Sequence, residues 1–398
     1  MSVATKPANR VGLTGNSAVA HAMRQIDPDV VAAYPITPST TVVEEFSGYV
    51  ADGKVSTELI TVESEHSAMS ACVGASAAGA RVMTATSSQG LALMWEVLYI
   101  ASGMRLPVVM ATVNRALSAP INIHCDHSDS MGARDSGWIQ LYSETVQEAY
   151  DNLFQAVRIA EHRDVRLPVM VCLDGFITSH AIENMELIDD GAVRDFIGEY
   201  RPDTSLLDTD NPVTLGAMTL PDTYMEFKRQ QSEAMTRSKG VILDVAKEFE
   251  SAFGRSYGLF DAYMVDDADE VIVILNSAAG TTKVAVDRLR KEGRKVGVLR
   301  PRVYRPFPHE ELAQALRGRK AVAVLDRADS MNAFGGPLFS DIRSALYEVD
   351  DRPVVFGRIY GLGGRDYMVE DALGVFDELR EAAGKGRAGE LIKYITQG

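Results

Sequence analysis

What this chain has little of narrows its chemistry first. Its 398 residues include three cysteines, Cys72, Cys125 and Cys172, far apart and with no CxxC pair. A cubane iron–sulfur cluster takes about four thiolates, so the chain cannot hold one by itself. A disulfide framework is missing too, which fits a reducing compartment; the cytoplasm is the expected location. The longest apolar runs are strand-length, well short of a membrane span. The opening MSVATKPANR is polar and has no apolar core, so no signal peptide is expected. With a net charge of −15, a basic nucleic-acid face is not expected either. The glycine turns near Gly12 and Gly280 fit neither GxGxxG nor GxxxxGK followed by Ser or Thr, so they carry no dinucleotide or phosphate signature.

Present instead is a regular alternation of strand-like and helix-like runs. Apolar residues make up 46% and charged residues 24%, ordinary for a folded chain, and the length suits two or three domains. Strands are expected at 29–34, 59–62, 82–85, 107–113 and 168–173. Helices are expected at 38–50, 65–79, 90–103 and 152–163, and 12–25 reads as a glycine turn running into a helix. This pattern predicts a parallel sheet covered on both faces. Ligands on such sheets bind beyond the carboxyl ends of the strands. Residues 182–221 lose the pattern and read as an excursion over the surface. A long charged helix over 225–253 then leads to a second α/β unit, with strands at 270–275, 295–299, 321–325 and 353–356.

Three segments at strand ends carry candidate chemistry. Tyr34-Pro35-Ile36-Thr37-Pro38-Ser39-Thr40 joins a strand to a helix, and its two prolines stiffen the loop. A rigid hydroxyl at Thr37 suits a substrate carboxylate or carbonyl; a plain connecting turn explains the same residues. Glu65 opens a helix, EHSAMSACVGASAAGA, made of small residues that let a flat ligand approach. A carboxylate there can hydrogen-bond a ring nitrogen and shift its tautomer, or it can simply offset the helix dipole. Arg115 follows the apolar run PVVMATV and can grip a carboxylate bidentately. The His124-Cys125-Asp126-His127 cluster beyond it matches no metal-ligand spacing, and an ordered polar loop over the site is expected there. Gly361–Arg365 reads as a flexible or interface loop.

Taken together, these stretches resemble the alpha subunit of the pyruvate:ferredoxin oxidoreductase family. The resemblance rests on YPITPST, ESEHSAMSACVGASAAGARV, TATSSQGLALM, NRAL…DHSD, LNSAAGTTKVAVDRLR, VGVLRPRVYRPFP, VLDRADSMNAFGGPL and GLGGRDY, in this order over nearly the whole chain. It implies an α/β fold with two units. Residues 1–260 would form a thiamine-diphosphate pyrimidine-binding domain ending in the long helix, and residues 261–398 a transketolase-C-like domain. It also implies that Glu65 contacts the pyrimidine ring, with Pro35, Ile36 and Thr37 in the cofactor loop. Thr37 and Arg115 would bind the 2-oxoacid, with Asp126 and His127 nearby.

The implied reaction is the oxidative decarboxylation of a 2-oxoacid such as pyruvate, with coenzyme A taking the acyl group and ferredoxin the electrons. No metal is expected in this chain. It lacks the GDG motif for the diphosphate, so Mg2+ and [4Fe-4S] clusters are expected in partner beta, gamma and delta subunits or their fused equivalents. A compact Thr37 hydroxyl favours pyruvate; branched 2-oxoacids and 2-oxoglutarate are the alternatives. A ferredoxin-independent dehydrogenase or transketolase-type subunit, or a catalytically empty scaffold, is the contrasting expectation. YPITP and DHSD argue against the former, and Glu65, Thr37 and Arg115 against the latter.

Overall fold

The computed structural model of the chain describes residues 9–395; most of the polar N-terminal segment read above lies outside them. In chain order the strands are β1 (Asn9–Thr14), β2 (Val30–Ala33), β3 (Glu58–Thr61), β4 (Val82–Thr86), β5 (Val109–Asn114), β6 (Ile139–Tyr142), β7 (Val169–Asp174) and β8 (Ile182–Leu187). Then come β9 (Phe260–Tyr263), β10 (Glu270–Ile274), β11 (Val296–Pro301), β12 (Val303–Arg305), β13 (Ala321–Asp326), β14 (Val354–Ile359) and β15 (Ile392–Tyr394).

They make two large sheets. One has the order β12-β6-β7-β5-β4-β2-β3, parallel except for β12, which runs antiparallel to β6. The other has the order β15-β14-β13-β10-β11-β9, parallel except for β9. The central strands β4, β5, β7, β10 and β13 are buried along their whole length. Helices cover both faces, which is why these strands are continuously apolar rather than alternating.

Helix Tyr224–Phe253 runs 30 residues between the two sheets in the chain. It is no free spacer. Ala234, Ser238, Ile242, Val245 and Phe249 form a buried stripe on it, and Phe249 packs edge-on against Phe196 at 5.3 Å. That spacing is the one a helix uses to bury a single face.

Two segments differ from the sequence expectation. The turn ahead of the first helix is strand β1, and the start of the supposed excursion is β8 followed by helix Asp190–Ile197. β1 and β8 pair with each other in an antiparallel ribbon, Asn9 opposite Leu187 and Thr14 opposite Ile182. Their sequences, NRVGLT and IENMEL, are polar and half exposed. Only a partner about 170 residues away makes either one a strand, and periodicity within a short window cannot report that.

The two sheets are joined by more than the connecting helix. β12 belongs by sequence to the second half of the chain and by hydrogen bonding to the first sheet. Just before it, Arg302 is fully buried and donates to Asn152 Oδ1 and Gln155 Oε1, both at 2.9 Å. Arg300 pairs with Glu144 at 2.9 Å and Glu148 at 3.1 Å.

Candidate active site

The loops after β2, β3, β4, β5 and β7 all leave the carboxyl edge of the first sheet, where crossover topology places ligands. Glu65 is the first residue of helix Glu65–Ala77. The hydroxyl of Ser64 caps that helix by accepting from Ser67 N at 3.2 Å. The Glu65 carboxylate faces Gly90, in the short helix after β4. A Cβ built on Gly90 would lie 2.6 Å from Glu65 Oε1 and 2.5 Å from Thr86 Oγ1. Gly90 is therefore glycine because nothing larger fits between these two groups. Glu65 is 6% exposed and finds no hydrogen-bond donor among the described residues. The hydroxyls of Thr86, beside the same glycine, and of Ser87 next to it are buried with no partner among the described residues. Buried polar groups are normally satisfied, so an unpaired carboxylate in this setting is suited to an external donor such as a ring N–H. The site thus fits the pyrimidine of thiamine diphosphate.

Arg115 sits at the end of β5 and is 6% exposed. Its Nη1 donates to the carbonyl of Thr37 at 2.9 Å and its Nε to the carbonyl of Asn122 at 3.0 Å. A guanidinium has five N–H donors, so part of the fork stays free for a carboxylate. The Thr37 loop is itself pinned: Asn16 Nδ2 donates to Pro38 O at 2.7 Å, and Ser39 Oγ to Ile36 O at 2.8 Å. Thr37 and Pro35 are exposed and Ile36 is half-buried, so the loop presents its surface outward while Pro38 and Ser39 anchor it.

Asp129 ties the Glu65 side of the site to the Arg115 side. One carboxylate oxygen accepts from Ser88 N at 2.9 Å and Arg115 N at 3.0 Å. The other accepts from Asn114 Nδ2 and Ser130 N. Burial pushes its pKa up to about 6, against the pull of these four donors. Ser88 N leads directly to Gly90, so the turn under Glu65 and the strand end bearing Arg115 share one buried carboxylate.

Asp126 and His127 belong to a second buried hub, centred on Asp174 at the end of β7. Asp174 Oδ1 lies 2.8 Å from His127 Nε2 and accepts from Asn276 Nδ2 at 2.9 Å and Cys125 Sγ at 3.3 Å. Its Oδ2 accepts from Ser277 and, at 3.3 Å, from Arg327 Nη1. Burial alone would raise the Asp174 pKa. The charge and hydrogen bond of His127, with Arg327, outweigh it and hold the carboxyl well below the usual range. Asp126 caps Ser128 and accepts from Gly363 N at 3.2 Å.

Cys125, His127 and Asp174 lie close enough to hold an ion. The carboxylate oxygens are already taken, however, and burial with the Asp174 charge keeps the Cys125 thiol protonated. The donor set is that of an electrostatic lock between the two sheets. Asp129, Asp174, Gly90 and Asn276 are the contributors that residue-by-residue reading does not find. Asn276, Ser277 and Arg327 follow strands of the second sheet; they lie in stretches that carry the family resemblance, but nothing local to those stretches points to Asp174. One motif is misleading: Gly254-Arg255-Ser256-Tyr257-Gly258 spells GxSxG. It joins a helix to a strand, the reverse of the strand-to-helix elbow a hydrolase needs.

Comparison with known proteins agrees along the whole chain. Residues 21–247 match the family model for the thiamine-diphosphate-binding part of pyruvate flavodoxin/ferredoxin oxidoreductase. Residues 268–372 match core domain II of pyruvate:ferredoxin oxidoreductase. The pyruvate synthase subunit PorA of Thermotoga maritima is 59% identical, covering 93% of this chain and 94% of its own length. That of Methanocaldococcus jannaschii is 51% identical over 93% of this chain and 95% of its own. The ketoisovalerate oxidoreductase subunit VorA of Pyrococcus abyssi is 43% identical over 98% of both. Among solved structures, a 2-oxoglutarate:ferredoxin oxidoreductase from Magnetococcus marinus superposes with a TM-score of 0.73. At 22% identity, and covering 94% of this chain and 65% of that one, it speaks for the fold.

Proposed function

The chain belongs to the pyruvate:ferredoxin oxidoreductase family, and on that premise we propose that it is the pyrimidine-binding subunit of a pyruvate synthase. The complex oxidatively decarboxylates pyruvate, forms acetyl-CoA and CO2, and passes two electrons to ferredoxin. Residues 1–260 would serve as the pyrimidine-binding unit and residues 261–398 as the second unit. Relatives named for pyruvate, up to 59% identical, favour that substrate over branched 2-oxoacids.

Thiamine diphosphate, when bound, supplies a carbon nucleophile for the keto group and a sink for the electron pair that decarboxylation releases. The roles of this chain's residues follow from their placement. Glu65 would accept a hydrogen bond from the pyrimidine and hold its tautomer, with the Pro35–Thr37 loop alongside. Arg115 would fix the pyruvate carboxylate, and the Thr37 hydroxyl would meet its carbonyl. Asp126 and His127 would keep the loop bearing them in register without touching the substrate. Mg2+ and [4Fe-4S] clusters would reside in the beta, gamma and delta subunits, since three dispersed and buried thiols cannot supply a cluster. One observation carries the reading: Glu65 is 6% exposed, receives no hydrogen bond among the described residues, and is set against Gly90 at a sheet edge built for ligands.

The test is to purify the chain with its partner subunits and record visible absorbance and electron paramagnetic resonance. Iron–sulfur signals that pyruvate reduces, with sustained turnover only when coenzyme A is also present, are expected. A complex without iron would exclude the ferredoxin-linked reaction.

A further inference from the structure

The substrate-side arginine does not stand on its own domain alone. Arg115 Nε donates to the carbonyl of Asn122, a residue with three other attachments. Asn122 Nδ2 donates to the carbonyl of Gly363 at 2.9 Å, and Asn122 Oδ1 accepts from His124 N at 2.7 Å and lies 3.3 Å from His124 Nδ1. Gly363 belongs to the Gly361–Arg365 turn of the second unit, and its own N–H donates back to Asp126 Oδ2. The same turn is fastened by Arg327 Nε to Gly361 O at 3.2 Å.

The approach is close enough to demand glycine. Gly361, Gly363 and Gly364 all have positive φ, at 63°, 60° and 82°. A Cβ on Gly363 would lie 2.5 Å from Asn122 Nδ2, and one on Gly364 would lie 2.3 Å from His124 Cβ. The backbone of the turn is therefore packed directly against the side chains of Asn122, His124 and Asp126 and has no slack.

We propose that Asn122 is the positioning residue for Arg115: it fixes the guanidinium against the Gly361–Arg365 turn, so that the second unit sets the geometry of 2-oxoacid binding. Arg115 has two fixed points among the described residues, the carbonyls of Thr37 and Asn122. The first belongs to the proposed cofactor loop and the second is held from across the molecule. Loss of the second leaves the fork free to swing about the first. This inference rests on the proposed carboxylate-binding role of Arg115 and deepens it.

The test uses the assembled complex and four variants: Asn122→Ala, Gly363→Ala, Arg115→Ala, and the double variant Arg115→Ala/Asn122→Ala. Asn122→Ala is expected to raise the KM for pyruvate about tenfold, since a small displacement of a positioning group is enough for that. The KM for coenzyme A should stay unchanged. Gly363→Ala, which disturbs the same contact from the other side, should give the same split. In the Arg115→Ala background, Asn122→Ala should add nothing, because its effect passes through the arginine.

If Arg115→Ala raises the KM for pyruvate while Asn122→Ala and Gly363→Ala leave it unmoved, the inference alone is overturned. So it is if Asn122→Ala acts equally in both backgrounds, or raises the KM for coenzyme A by the same factor. An unchanged KM for pyruvate in Arg115→Ala would overturn both the inference and the reading beneath it.

Discussion

At the residue scale, the proposed site sets one carboxylate that receives no hydrogen bond among the described residues beside others that are tied down. Glu65→Gln keeps the size of the side chain and removes its basicity. It is expected to abolish decarboxylation while leaving complex assembly and the melting temperature unchanged; steady-state assays and gel filtration check it. Gly90→Ala should lower activity without touching Glu65 chemically, because the new methyl would stand 2.6 Å from the carboxylate. Turnover at the unaltered rate in either variant would remove Glu65 from the reaction.

Asp174 behaves in the opposite way. Asp174→Asn leaves the buried Arg327 without its counter-charge, at a cost of about 3–5 kcal/mol, readable by denaturant unfolding. Its sign with pH is fixed as well. A carboxyl held below its unfolded pKa contributes stability above that value and loses it as pH falls. The Asp174 contribution should therefore be complete above about pH 4 and fade only under stronger acid. An unfolding free energy that already falls between pH 7 and 5 in the parent but not in Asp174→Asn would contradict this. The position of Glu65, Arg115 and Thr37 beyond strand ends was legible in the sequence because each follows closely on its own strand. Asp174 was not: its partners Asn276, Ser277 and Arg327 lie 100 or more positions away.

At the element scale, helix Glu65–Ala77 is the one whose start matters. Ser64 caps it through Ser67 N, and Glu65 is the next residue. Ser64→Ala should cost about 1 kcal/mol and also lower activity, because a frayed first turn carries Glu65 with it. A denaturation midpoint shift with fully retained activity would show that Glu65 is held independently of the cap. The central parallel strands were readable because burial on both faces makes them uniformly apolar. β6 is four residues long, follows a polar loop, and becomes a strand only by lying between β7 and β12. β1 and β8 failed to register for the same reason, since their strand character is conferred by pairing rather than by composition.

At the scale of the whole molecule, the two sheets behave as one body. Arg302 reaches into the first unit with no exposure, and its guanidinium also lies over Tyr257, 5.2 Å from the ring centre. Arg302→Ala leaves the amides of Asn152 and Gln155 without a donor and opens a cavity, a loss on the order of 3 kcal/mol. Because the loss falls on the seam, it should separate one calorimetric transition into two. A single transition merely shifted downward would show that the other contacts across the seam suffice. The existence of two units was readable from the sequence, but not the way they interlock, because the crossing residues sit in an ordinary strand-and-turn sequence.

The strand that closes the first sheet also sets a clock. β6 ends at Tyr142, and its antiparallel neighbour β12 begins at Val303, about 160 residues later. At the usual pace of ribosomal synthesis, some 5–20 residues per second, the edge of β6 waits roughly ten to thirty seconds for its mate. During that interval the nascent chain carries an unpaired strand edge, the kind of surface that recruits chaperones or stray chains. The first sheet is therefore completed only after the chain has been made through Arg305. A ribosome that stalls between these two points would release a sheet with one side still open.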